Sequence, residues 1–356
     1  MDELPTRQML LHASLRSRLH NSPALPALYA AILRPLLFRL SADRAHDLAR
    51  LALRSAPPVF ALLGARGRQP DPRLATDLAG IPLANPIGLA PGFDKNAEML
   101  PSLARLGFGY IVVGSITREA RYGNPFPRLV RYPRELSIAN SMGLPNRGLA
   151  EAVRLLRRPR PADCPPIIAS VAGFSSDELL EAAQAVEPHV AAVEIGLVCP
   201  NTTATERLEE LRIFTALVEG LVQRVRKPLF VKLPPHHSDA DHERICRMLD
   251  QCLRVGVQGV SLSGTRPIVE PGLGMGKGSL AGRAVFDDSV RILRDVVAHT
   301  RGQGLVVRAA GGVFSGADAL CMLEAGATAV EVYSAFIYRG WGAAGAINRE
   351  LSQLLA

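Results

Sequence analysis

The sequence contains no apolar run long enough to cross a bilayer: LPALYAAILRPLLFRL is broken by Arg34 well short of the roughly 20 residues a span requires. The opening MDELPTRQML carries two acids where a secretory leader would carry bases, so no signal peptide is expected. Five cysteines, at 164, 199, 246, 252 and 321, form neither a CxxC pair nor a Cys/His array, which argues against zinc, iron–sulfur and disulfide frameworks and for a reducing compartment. His236, His237 and His242 share the segment HHSDADH without convergent metal spacing and read as solvated surface, so no metal is expected. Aromatic residues make up only 5%, and no recognisable module is present, so nucleic acid is not an expected partner. Low-complexity tracts and repeats of 20 to 50 residues are also lacking.

What is present is core material: 48% hydrophobic against 21% charged residues. A length of 356 residues suits one α/β barrel of about 250 residues plus a small appendage. The appendage is expected at 1–69 and the barrel at 70–356. The net charge of +8 is concentrated at the front, where residues 1–68 hold ten Arg against four Asp/Glu. Leu28, Ile32, Leu36, Leu37 and Leu40 recur there at helical spacing. A basic amphipathic helix of this kind either docks on its own domain or lies on an anionic membrane surface.

From residue 80 onward, β-branched runs alternate with helical patterns: 85–89, 110–113, 167–171, 190–195, 229–233, 259–262, 304–308 and 328–333. Eight such units imply a closed parallel barrel, the TIM (β/α)8 fold, with room for insertions after the second, fourth and sixth strands. Chemistry in that fold sits where the strands end, and the segments there read APGFDKN, GSITREARYGNPFPR, SVAGFS, GLVCPNT, KLPPHH, SLSGTRP, RAAGGVFSG and VYSAF. The last two loops, with Gly311, Gly312 and Ser334, suit phosphate binding. Lys95 and Lys232 at strand ends can each be an anion partner, a Schiff-base nucleophile or a rim charge. Cys199 stands four residues after the fourth run and is either a buried filler or a reactive thiol.

Taken together, NPIGLAPGFDKN, YGNPFPRLVRYP, NSMGLPNRG, SVAGFSSDE, CPNT, FVKLPP, AAGGVFSGADA and AGATAVEVYSAFIYRG resemble the dihydroorotate dehydrogenase family over nearly the whole chain. LYAAILRPLLFRLSADRAHDLARLALR is similar to the helical extension of the membrane-associated, quinone-dependent class 2 enzymes, whereas the cysteine in CPN is similar to class 1. The resemblance implies an FMN oxidoreductase that introduces a C=C bond next to a carbonyl in a small cyclic substrate, dihydroorotate by default, with a quinone acceptor. It also implies peripheral attachment to the cytoplasmic face of the cell membrane, with a cytoplasmic location as the alternative.

Under this resemblance Cys199 is the base that removes the substrate proton while a hydride leaves to FMN, with Lys95 the nearest positive charge to lower the thiol pKa. FMN contacts fall on Pro91, Gly92, Phe93, Asp94, Lys95, Ser115, Ser170, Gly196, Lys232, Ser263, Gly282, Gly312, Tyr333 and Ser334. Substrate contacts fall on Lys95, Asn140, Ser141, Met142, Gly143, Leu144, Asn201, Gly264 and Thr265. Gly196 and Gly264 stand where the family carries asparagines that grip the pyrimidine ring. That departure leaves a second expectation open, a diverged relative with the same flavin chemistry on another cyclic amide or lactam-like ring. A Schiff-base aldolase using Lys232 and a non-catalytic flavin sensor are the readings from other classes.

Overall fold

In a computed structural model, residues 28–64, 71–197, 208 and 210–356 are described. Eight parallel strands close into a barrel: β1 (Ile87–Leu89), β2 (Tyr110–Ile116), β3 (Ile167–Ala172), β4 (Ala192–Gly196), β5 (Leu229–Leu233), β6 (Gly259–Leu262), β7 (Val306–Ala310) and β8 (Ala329–Val332). All eight coincide with the runs read from the sequence, and the differences lie at strand ends. Before β1, for example, the Asn85 side chain accepts from the Ile87 amide at 3.1 Å, a local turn that delays the strand by two residues. The strands are buried on both faces, as a parallel sheet covered by helices requires.

A short antiparallel hairpin, Thr76–Leu78 with Ile81–Leu83, stoppers the amino-terminal end of the barrel. Leu78, Ile81 and Leu83 pack there on Tyr110, Val112, Ile168, Ala192, Phe230 and Ala329. At the opposite end, insertions after β2 and β6 join into one antiparallel sheet in the order Arg266–Val269, Lys277–Gly282, Ser137–Asn140, Leu129–Tyr132. The sequence shows the two insertions but not their pairing, because that register is set between segments more than 130 residues apart (Ser279 opposite Asn140).

Ahead of the barrel lie helical segments at Tyr29–Leu33, Arg34–Phe38, Ala42–Ser55 and Pro57–Gly64. Ser41 caps the third by accepting from the Arg44 amide, with Asp43 in its first turn and Arg54 in its last. These helices are tied to the barrel by Arg50 to Glu98 at 2.9 Å, Arg34 to the Tyr338 carbonyl at 3.0 Å, and Asp43 accepting from the Arg128 amide at 3.1 Å. Leu28, Ile32, Leu36 and Leu40, spaced by four, face solvent together with Leu48, Leu51, Val59 and Leu62. Leu28, Leu37 and Leu48 also reach the inner space described next.

Candidate active site

Two cavities meet at the carboxyl ends of the strands. The first, about 240 Å³, is bounded by residues that follow β1, β6, β7 and β8, by Ser115 and Lys232 within β2 and β5, and by the covering sheet. Pro91, Gly92 and Lys95 follow β1, Ser115 lies in β2, Lys232 in β5, and Ser263, Gly264 and Thr265 follow β6. Gly311 and Gly312 follow β7 and Tyr333 and Ser334 follow β8, while Asn140, Met142, Leu144 and Gly282 descend from the covering sheet and its connections. The second cavity, about 520 Å³, is almost wholly apolar and lies between the amino-terminal helices and the barrel. Leu37, Phe38, Ala49, Phe60, Phe93 and Trp341 are among its walls. Leu129, Ile138 and Tyr333 border both.

Backbone approach shapes the first cavity. A Cβ on Gly264 would lie 2.3 Å from the Gly311 Cα and nitrogen, so the β6 and β7 loops touch backbone to backbone and no side chain fits between them. Gly312, at φ 70°, then turns the chain along the cavity wall. The hydroxyls of Ser263 and Thr265 lie 3.1 Å apart at the same wall. The Asn140 amide donates to the Ser279 carbonyl at 3.1 Å, which fixes its orientation.

Lys95 stands between two environments. Burial pulls its ammonium down to about 8, with Asp94 opposing that shift and Arg50 reinforcing it. Its Nζ lies 3.4 Å from Nε2 of His46. Burial, then the charges of Lys95 and Arg50, push His46 down to about 3, so its imidazole is neutral at the wall of the apolar cavity. Lys95 also borders a third, polar cavity of about 590 Å³ that carries Arg50, Arg121, Arg128 and Arg147.

Several residues expected at the site stand away from the first cavity. Phe93 lines the apolar cavity instead, edge-on to Tyr333 and Phe336. Asp94 is wholly buried and accepts from the Glu98 and Met99 amides at 2.9 Å each; burial lifts its carboxyl to about 6 against those bonds. These bonds close the loop that carries Lys95. Ser170 lies one layer below, 3.2 Å from Ser115 Oγ. Ser141 accepts from Asn124, and Gly143 turns tightly against the same asparagine. Gly196 ends β4 in the core, although a Cβ there would stand 3.9 Å from Ser115 Oγ and 3.3 Å from the Val171 carbonyl. Cys199 and Asn201 lie outside the described residues.

The histidine segment also departs from expectation. His236 is buried, bonded to Asp295 at 2.9 Å and stacked on half-buried His242, and of the three only His237 is exposed. Among the described residues no group of His, Cys, Asp and Glu could hold a metal. Sequence reasoning overlooked Glu331 and Arg308, whose signal was available as single charges inside the apolar runs AVEV and VVRAA.

A closed parallel barrel with a glycine-shaped, lysine-bearing cavity at the carboxyl ends of its strands is a TIM-barrel enzyme site. The chain belongs to the dihydroorotate dehydrogenase family, whose pattern it matches over residues 73–355. It is 33% identical over 347 residues to dihydroorotate dehydrogenase (quinone) of Methylococcus capsulatus, covering 92% of this chain and all of that protein. To the protein of the same description from Cereibacter sphaeroides it is 35% identical, covering 90% of this chain and 91% of the other. Among solved structures, the Eimeria tenella enzyme in complex with ferulenol superposes with a TM-score of 0.75 at 27% identity, over 88% of this chain and 91% of that one.

Proposed function

We propose that this protein oxidises dihydroorotate to orotate with bound FMN and passes the electrons to a quinone. The observation that carries the reading is the shared wall: a polar cavity ringed by lysine and hydroxyl side chains adjoins an apolar one across Leu129, Ile138 and Tyr333. An anionic, hydrogen-bonding substrate fits the first. A hydrophobic acceptor fits the second, and both can then address one cofactor from different sides.

The chain's residues fit FMN. Gly311, Gly312 and Ser334 form the wall that would hold its phosphate, and Lys232, Ser115 and Ser263 stand where they would bond the ring. When bound, FMN supplies the hydride acceptor. Lys95 orients the substrate carboxylate, Asn140 offers its amide oxygen to a ring N–H, and Cys199 removes the proton from the carbon beside the carbonyl. The apolar helices at 28–64 exclude water from the acceptor side, and their outward leucine row, on a basic segment, favours an anionic membrane surface. The division at residue 69 between extension and barrel is part of this proposal.

Gly196 supports a second reading, a ring other than dihydroorotate. An asparagine there would reach towards Ser115, and its absence removes one amide from the site. Gly264 lends less support, because its lack of side chain follows from the contact with Gly311.

The test is spectroscopic. The protein should purify with noncovalent FMN, and anaerobic dihydroorotate should bleach the flavin. Cys199→Ala should bind both but bleach slowly, whereas Cys199→Ser should retain part of the rate with its pH dependence moved upward. Bleaching only by other cyclic amides would select the second reading; full speed in the alanine variant at every pH would remove Cys199 from its role.

A further inference from the structure

Barrel interiors of this fold are filled mainly by branched apolar side chains. Here the lumen beneath the first cavity holds an ion cluster. Arg308 of β7 is completely buried and pairs with Glu194 of β4 at 2.5 Å and with Glu331 of β8 at 2.7 Å. Strands β4 and β7 are not neighbours in the barrel, so the first of these bonds crosses the lumen. Ser261 of β6 also donates to Glu194, at 2.7 Å. Glu331 reaches the wall of the cavity, beside Lys232 of β5.

Such a cluster is costly to bury and is not required to close a barrel. Its charge balance is unusual. Burial opposes ionisation of Glu194, but Arg308, Lys232 and Ser261 together hold its carboxyl below the ordinary range. Burial pushes Glu331 up to about 7, with Arg308 opposing the shift and Glu194 adding to it. The charged and titratable groups facing Glu331 are Arg308, Glu194, Lys232 and Tyr110, the last with its hydroxyl 3.5 Å away. With Glu331 ionised, two carboxylates balance Lys232 and Arg308; with it protonated, the floor of the cavity gains one positive charge.

Resting on the flavin reading above, we infer that Glu331, held by Arg308 against Glu194, is a charge-compensating residue that takes up a proton when negative charge arrives in the cavity and so sets the reduction potential of the bound flavin. A hydride brings two electrons and one proton, and therefore one negative charge. The Glu331 carboxylate binds one solvent proton to cancel it. A quinone takes up two electrons and two protons: one proton leaves with the hydride equivalent, and the second matches the one that Glu331 releases. Glu331 thus acts on the potential and not on the substrate.

The experiment is a redox titration of the FMN-loaded protein against reference dyes, from about pH 6 to about pH 8.5, in wild type and Glu331→Gln. At the acid end the two proteins agree, because the glutamate is already neutral. At the alkaline end the variant, with its permanently uncharged amide, holds a reduced-to-oxidised ratio about tenfold higher at the same poise, equivalent to about 30 mV for a two-electron couple. Equal potentials across the range, or an offset independent of pH, would overturn the inference. A reduced-minus-oxidised infrared spectrum of the wild-type protein at the alkaline end of the range gives a second reading that needs no variant to fold: a protonated-carboxyl band appears on reduction, and its absence there would contradict the role of Glu331. Failure of the wild-type protein to bind FMN at all would instead overturn the flavin reading, and this inference with it.

Discussion

The two cavities that share Leu129, Ile138 and Tyr333 are built from different material. The barrel-mouth cavity draws its walls from strand-end loops whose geometry is enforced by the closed sheet below, with charge stored in the lumen under it. The outer cavity draws more than half its walls from the helical segments at 28–64, held to the barrel by a few polar ties, and most of its lining is leucine, phenylalanine and alanine. Chemistry needs fixed polar groups, and the strands and loops around the first cavity supply them. Partition of a hydrophobic acceptor needs area and not direction, so the second tolerates change.

That contrast predicts the largest losses in the barrel. Lys232→Ala should lose most bound FMN, measured as the flavin-to-protein absorbance ratio after gel filtration; stoichiometric FMN in the variant would remove Lys232 from the cofactor site. Arg308→Met leaves Glu194 and Glu331 facing each other without their shared cation, and should lower stability by about 3–5 kcal/mol in denaturant unfolding. A loss under about 1 kcal/mol would mean that the carboxylates neutralise at little cost.

A pH dependence distinguishes the polar cavity further. Lys95 is cationic below its lowered value of about 8 and neutral above it. Affinity for the carboxylate substrate should therefore be level at lower pH and fall as pH rises through that value, whereas Lys95→Met should bind weakly with no such break. A break of equal size in the methionine variant would assign the titration to another group.

The sequence discloses these two regions unequally. Eight β-branched runs and the glycine turns after the last two strands announced the barrel and its mouth, because strand period and turn chemistry are local properties. Lys95, Lys232, Ser263 and Gly312 could be placed from their positions at strand ends alone. Phe93, Asp94 and Ser170 enter the expectation only through the family resemblance; Phe93 lines the neighbouring cavity, Asp94 accepts from the amides of its own loop, and Ser170 lies against Ser115. The outer cavity was legible only as an amphipathic row. The sequence shows Leu36 and Leu37 side by side but not that the first faces solvent while the second lines the cavity.

The outward row should show the smallest effect. Ile32→Asp with Leu36→Asp removes apolar side chains that are half exposed and touch no catalytic group. Binding to anionic vesicles should weaken roughly tenfold, as loss of apolar contact area predicts, with flavin content and reduction by dihydroorotate unchanged. Unaltered vesicle binding would place the membrane contact elsewhere.

The most direct test of the two-cavity account separates the half-reactions in one protein. Ala49→Trp fills part of the apolar cavity from the helix Ala42–Ser55 without touching the barrel mouth. Anaerobic stopped-flow mixing with dihydroorotate should bleach the flavin of wild type and variant at the same rate, and subsequent mixing with a quinone should restore the colour at least about tenfold more slowly in the variant, a barrier difference of about 1.4 kcal/mol. Equal reoxidation rates, or slowing of both half-reactions together, would contradict the assignment of the acceptor to the apolar cavity.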